Sequence, residues 1–277
     1  MSDAGCGAPA DSGENSVEHT WSITEQWKCK PQGQVWRVAD KNGRTGFFKF
    51  AFRRQWYYAG PLVGNEWIAR RLATEAGLSS AQVEVAHIRH GGAELFGIVS
   101  LPRQGARLLD WSCLSDAERI RAADSVHQMN RLVGTIAFDS WLTNIDRGSG
   151  RNVILYKDGD ERYRWYLIDH AYALYGSPRK WEMHGATTQH WLDIWRFYHI
   201  PRGWQKLATR GVLWEMAERI RRVPRSYIQD VIASVPDPSY SDRIKRDVSR
   251  MLLYRKSALP HMLDRWMQFR GRKESMN

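Results

Sequence analysis

Cysteine is scarce: the 277 residues hold three, Cys6, Cys29 and Cys113, and no two stand at a metal-ligand spacing such as Cys-x-x-Cys. That scarcity argues against a disulfide scaffold and a structural zinc site. The nine histidines form no His-Glu-x-x-His pair, which leaves a zinc hydrolase without support. No run of about 18 apolar residues is present to span a bilayer. The opening Met-Ser-Asp-Ala-Gly-Cys lacks the basic and apolar regions of a secretory signal, so a cytoplasmic location is expected. No Gly-x-Gly-x-x-Gly loop precedes residue 49, and no internal repeat emerges.

What is present is enough for a large core: 43% hydrophobic residues and 14 tryptophans, sufficient for one large domain or two lobes around a cleft. Net charge is +11, with 41 basic residues against 30 acidic. That excess favours anionic partners as a class: ATP, an acidic protein, a membrane surface or nucleic acid. Residues 1–19 are small and polar, and are expected to form a flexible tail.

The densest chemistry lies between Phe138 and Leu174. Trp165-Tyr-Leu-Ile168 reads as a short buried strand and Asn152-Val-Ile-Leu-Tyr156 as a second, with Lys157-Asp-Gly-Asp160 as the turn between them. Such a hairpin brings the loop before its first strand beside the residue after its second, so Asp146, Asn152 and Asp169 are expected to converge. An acid directly after Tyr-Leu-Ile is expensive to bury without a partner or metal. Magnesium is commonly held by one or two carboxylates together with phosphate oxygens, which suits Asp169 and Asn152. Asp146 is then free to orient an acceptor hydroxyl and take its proton. Taken singly, Asp146 also reads as part of a solvated turn and Asn152 as a strand-start residue bonded to its own backbone.

This segment resembles the catalytic loop and metal-binding strand of HipA-like kinases, and more distantly those of phosphatidylinositol kinases and eukaryotic protein kinases. The matching residues are Asn144-Ile-Asp146-Arg147, Asn152-Val-Ile-Leu and Leu167-Ile-Asp169-His170. The resemblance implies that Asp146 is the catalytic base, that Asn152 and Asp169 hold the metal, and that ATP and Mg2+ are the cofactors. The interval from Asp146 to Asn152 is one residue longer than is usual in related kinases. Gly148-Ser-Gly150 is the place to absorb it, since glycine reaches conformations other residues avoid.

Upstream, Gln34-Val-Trp-Arg-Val-Ala39 and the stretch Thr45 to Phe52 alternate like strands around the Asn42-Gly43 turn signal. A period of two puts Phe48, Phe50 and Phe52 on one face and Phe47, Lys49 and Ala51 on the other. Lys49 is then a lone cation in a strand built for burial, and it needs an anionic partner. A helix is expected over residues 64–78, with Trp67, Ile68, Leu72 and Ala76 near helical spacing and Gly77 as its stop. Glu66, near its start, reads as a carboxylate placed favourably at a helix N-terminus. The resemblance gives it a second role, because in such kinases a lysine at this place contacts nucleotide phosphates and pairs with a glutamate on the next helix. Either Asp40 to Arg44 or the basic loop Arg53 to Pro61 is expected to cover the phosphates. Gln82 to Arg89 and Ala93 to Ser100 read as two further strands, and backbone groups of Ile98, Val99, Ser100 and Leu101 are where an adenine ring is expected to be held. Leu101-Pro-Arg-Gln-Gly105 reads as the link between lobes.

Beyond it, Ser115 and Glu118 stand as a capping box ahead of a helix, and a further helix from Asp124 to Trp141 delivers the chain to Asp146. After Leu174, helices are expected over residues 188–198, 204–221, 226–233 and 241–269, broken at Pro201, Pro224, Pro236 and Pro238. The basic strip along the last of these reads as a solvated face, with nucleic-acid binding not favoured. The expected fold is α+β and bilobal, protein-kinase-like: a β-rich ATP-binding lobe over residues 20–101 and a larger, mainly helical catalytic lobe over 102–277. The expected activity is ATP-dependent phosphoryl transfer, as in HipA-like kinases, with a protein serine or threonine hydroxyl as acceptor. The alternatives are a lipid or small-molecule alcohol as acceptor, and a non-catalytic nucleotide-sensing or basic interaction module.

Overall fold

Period-two alternation shapes the first third of the molecule. The structure, a computed structural model, describes residues 21–27, 30, 32–157, 159, 162–174, 177–179, 200–201 and 203–274. Strands β1 (Trp21–Gln26), β2 (Gln34–Asp40), β3 (Thr45–Phe50), β4 (Gln82–His90) and β5 (Ala93–Leu101) form one antiparallel sheet in the order β1-β2-β3-β5-β4. The β2–β3 hairpin closes at its turn signal: Asp40 Oδ1 accepts from the amides of Asn42 and Arg44, each at 2.9 Å, and Gly43 takes φ +77°. One face of β3 sends Phe48 and Phe50 into an aromatic core with Trp21, Trp36, Val38 and Val99. The other carries Lys49, directly across from Ile98 of β5. A short helix α1 (Trp56–Ala59) leads into α2 (Leu62–Glu75), whose Leu62 and Val63 pack with Ile98 on that second face.

The larger lobe is helical around a small sheet of β6 (Leu108–Asp110), β7 (Val153–Tyr156) and β8 (Arg164–Leu167). Its helices described from end to end are α3 (Asp116–Ser125), α4 (Met129–Leu142), α5 (Arg210–Arg222), α6 (Arg225–Ala233) and α7 (Asp242–Glu274). The capping box forms: the Ser115 amide donates to Glu118 Oε2 at 2.7 Å and the Glu118 amide to Ser115 Oγ at 3.4 Å. Helix α4 is apolar on nearly every side and is buried accordingly, with α5 and α7 packed against it. The result is a small β-rich lobe and a larger, mainly helical one, an α+β arrangement. Among the described residues, no helix is long and apolar enough to cross a membrane.

Several boundaries differ from the sequence reading. The helix expected over Asp124 to Trp141 is two helices, because Val126 forms a parallel bridge with Tyr163 and Gln128 takes a left-handed φ of +55°. His127 N donates to Tyr163 O at 2.7 Å, so a distant strand end, rather than local pattern, breaks the helix there. Strand β8 is set one residue earlier than the strand expected over Trp165 to Ile168, and β6 is an added strand. Helix α5 begins only after Thr209, whose side chain accepts from Val212 N at 3.4 Å as its cap. The helix expected over 188–198 lies outside the described residues.

The C-terminal end of α4 has an unusual support. Arg255 of α7 is buried and its Nε donates to Ser140 O at 3.1 Å and Trp141 O at 3.0 Å. A cation on the last carbonyls of a helix answers both their missing partners and the negative end of the helix dipole. Burial lowers the guanidinium to about 9, still charged at neutral pH. Arg255→Met is expected to lower stability by about 3 kcal/mol, measured as a shift in the urea midpoint at unchanged slope.

Candidate active site

Lys49 is buried, and its ammonium lies 2.7 Å from Glu66 Oε1 and 3.2 Å from Asp169 Oδ1. Glu66 reaches it from the second turn of α2 and is itself buried, so its carboxylate serves the lysine rather than a solvated helix start. Asp169 reaches it from the turn after β8, in a left-handed conformation with φ +54°. Its Oδ1 also accepts from Ala171 N at 3.4 Å.

Asp146 and Asn152 flank the loop between α4 and β7. Asn152 Nδ2 donates to Asp146 Oδ2 at 3.1 Å, and the Asp146 amide donates to Asn144 Oδ1 at 3.2 Å. The longer interval between the two is absorbed by a 3-10 turn over Gly148–Gly150. Gly150, at φ +81°, sits so close to Trp111 that a Cβ there would lie 2.2 Å from its Cδ1. Asn152 then enters β7 with φ +61°.

Beneath the loop lies a residue that the sequence reading counted only as part of a motif. Arg147 is fully buried, with Nε donating to Asp139 Oδ2 at 2.9 Å and Nη1 to the carbonyls of Asn152 at 2.8 Å and Ile168 at 3.3 Å. Its Nη2 donates to His170 Nδ1 at 3.1 Å, and His170 Nε2 lies 3.2 Å from Ser80 Oγ. Arginine can only donate, so Nδ1 is the unprotonated nitrogen and the His170 proton sits on Nε2. Burial, with Arg147 and Lys49 nearby, holds that ring well below the usual histidine value and neutral. One guanidinium thus ties the Asp146 loop to the Asp169 turn. The signal in the sequence was Asp139, an acid directly after the apolar run Ile136-Ala-Phe138.

Burial works against the Lys49 ammonium, but Asp169 and Glu66 together hold it above the ordinary lysine value. Burial also opposes ionisation of Asp169, and Lys49 outweighs it, keeping that carboxyl below its usual range. Glu66 moves the other way, raised by burial in spite of Lys49. Asp146 is raised too, by burial and then by Asp169.

The donor set suits magnesium. With Asn152 Nδ2 turned to Asp146, its Oδ1 is left as an acceptor, and Asp169, its own side chain 36% exposed, keeps Oδ2. Two oxygen ligands from the protein, completed by phosphate and water, are the usual arrangement for that ion. Among the described residues no three His, Cys, Asp or Glu side chains cluster as a metal cage. A cavity of about 600 Å3 lies elsewhere, lined by Arg107, Arg121, Lys157 and Tyr163 among others, so chemistry rather than volume marks the site.

The strand pairing places two other segments of interest. Ile98, Val99 and Ser100 are paired on both flanks, with β3 and β4, so the sheet occupies their backbones; Leu101 pairs with Gln82 alone. The side chains of Ile98 and Val99 are likewise committed to two separate cores. The Asp40 to Arg44 turn lies at the end of β3 away from Lys49: Thr45 pairs with Ala39, whereas Lys49 pairs with Val35.

No family model matches the sequence, and no curated protein matches it. The structure is similar to that of the Helicobacter pylori proinflammatory kinase CtkA, at 13% identity over 90% of this chain and 97% of that one, with a TM-score of 0.59. It is also similar to HipA of Shewanella oneidensis MR-1, solved with HipB and operator DNA, at 15% identity, 90% and 67% coverage and TM-score 0.47. Rio2 kinase from Chaetomium thermophilum, solved with ADP and Mg2+ as a phosphoaspartate complex, matches at 12% identity, 85% and 72% coverage and TM-score 0.37. The CtkA likeness shows that the two lobes have the protein-kinase-like fold.

Two outcomes test this geometry. Asp146 holds its proton more tightly folded than unfolded, so its contribution to stability is present at low pH and is lost as pH rises through its folded value. Asp146→Asn is therefore expected to raise the melting temperature at pH 7 and leave it nearly unchanged at pH 3, read by calorimetry. Gly150→Ala, strained by both φ and Trp111, is expected to lower stability by about 2 kcal/mol in chemical denaturation.

Proposed function

We propose that this protein is an ATP-dependent phosphotransferase, similar to HipA-like kinases, acting on a serine or threonine hydroxyl of a protein. The observation that carries the reading is the meeting of Lys49 with Glu66 and Asp169, at 2.7 and 3.2 Å, next to a loop whose Asp146 and Asn152 bond to each other. A cation, a base and two metal-capable oxygens are what phosphoryl transfer asks of a protein. The protein-kinase-like fold supports the same reading.

Lys49 binds phosphate oxygens of ATP, and Glu66 keeps its ammonium pointed there. Asp146 orients the acceptor hydroxyl and takes its proton as the oxygen bonds to the terminal phosphorus. The bond from that phosphorus to the ADP oxygen breaks in the same step, with ADP as leaving group. Asn152 and Asp169 hold Mg2+, which when bound offsets the negative charge of the phosphates. The adenine ring is held against the end of β5 at Ile98, Val99, Ser100 and Leu101, of which Leu101 pairs with Gln82 on one flank. Such a protein acts where ATP is abundant, in keeping with a cytoplasmic setting.

Purified protein given radiolabelled ATP and Mg2+ is expected to transfer label to itself or to an added protein. Asp146→Asn and Asp169→Asn should each lower that rate by about 100-fold or more. Nucleotide binding with no transfer by the unaltered protein would overturn the reading in favour of a nucleotide sensor. A thiophosphate donor in cell extract distinguishes a labelled protein from a labelled lipid.

A further inference from the structure

The helix that carries Glu66 is held from outside the cleft by the C-terminal part of the chain. Helix α6 and the segment leading to α7 pack along α2: Trp67 Nε1 donates to Ser234 Oγ at 3.2 Å, and the Tyr227 hydroxyl to Arg71 O at 3.4 Å. At the inner end of this contact Tyr240 is buried, its ring seated on Gly64 so closely that a Cβ there would lie 2.4 Å from ring Cε1. Its hydroxyl donates to Asn65 Oδ1 at 2.5 Å, and Asn65 Nδ2 donates to Ala171 O at 2.7 Å.

The direction of this relay is fixed. Ala171 O can only accept, so the amide nitrogen of Asn65 must face it, and the amide oxygen is left for the tyrosine. Burial pushes the Tyr240 phenol well above its ordinary value, so the hydroxyl keeps its proton and serves as donor. Asn65 is the neighbour of Glu66 in α2, and Ala171 stands two residues after Asp169. One chain of hydrogen bonds therefore joins the two elements whose acids grip Lys49.

We propose that Tyr240 is a positioning residue for phosphoryl transfer: through Asn65 it sets α2 and the Asp169 turn in register, and so sets the spacing of Glu66 and Asp169 about Lys49. The proposal rests on the phosphotransferase reading. A ring alone fills the space over Gly64; the hydroxyl adds the orientation of the buried Asn65 amide, which otherwise is free to turn its oxygen toward Ala171 O and repel it.

Tyr240→Phe keeps the ring and removes only the hydroxyl. It is expected to lower kcat about tenfold with the KM for the protein acceptor unchanged, at a temperature well below unfolding. Hydrogen exchange should quicken together in α2 and in the turn over residues 168–171. Tyr240→Ala, which also empties the seat over Gly64, should add a loss of stability without a new pattern of exchange. Unchanged kcat in Tyr240→Phe, or faster exchange confined to the vicinity of residue 240, overturns the proposal. If the unaltered protein transfers no phosphate, the functional reading fails by itself. The exchange experiment then still decides whether Tyr240 couples the two elements: joint quickening supports the link, and local quickening refutes it.

Discussion

A lysine ammonium withdrawn from water must find opposite charge within reach, and in this fold that one requirement draws three separate pieces of chain together. Strand β3 supplies Lys49, α2 supplies Glu66 and the turn after β8 supplies Asp169. Two carboxylates around one cation leave the cluster negative by one charge. On the proposed reading, an arriving nucleotide would bring further negative charge, and a metal cation would be the natural companion of its phosphates there. The interaction that organises the lobes is thus the same one on which the proposed phosphate site rests.

Arg147 does the corresponding work below the cleft. A buried guanidinium with four partners, one from α4, one from the loop and two from the turn after β8, fixes backbone that is otherwise irregular. Left-handed Asn152 and Asp169 are both held by the elements around this hub. Strained backbone persists where surrounding contacts over-determine it, and functional groups are commonly found at such places.

Much of this was readable from local pattern. The lone lysine in an aromatic strand, the Asn-Gly turn and the acid after Tyr-Leu-Ile are all short-range signals; the structure closes the turn between β2 and β3 and brings Lys49 to Asp169. What escaped was non-local. Nothing near Val126 announces its pairing with Tyr163, so a helix was expected to run through it. Nothing near Ile98 says that both flanks of its strand are occupied. Nothing near Asn65 announces that Tyr240, 175 positions away, bonds to it. Residue-type periodicity reports which face is buried, and it does not report what lies on the far side of that face.

The distance of Tyr240 along the chain also bears on the order of events during synthesis. A ribosome adds residues in sequence, at roughly 5–20 per second, and early segments begin to fold as they emerge. Lys49, Glu66 and Asp169 are all present seconds before Tyr240 follows. Until that tyrosine arrives, Asn65 lacks the donor that orients it, and a nascent chain carries every reactive group without their final alignment. The alignment of Glu66 and Asp169 about Lys49 then waits for the segment that carries Tyr240.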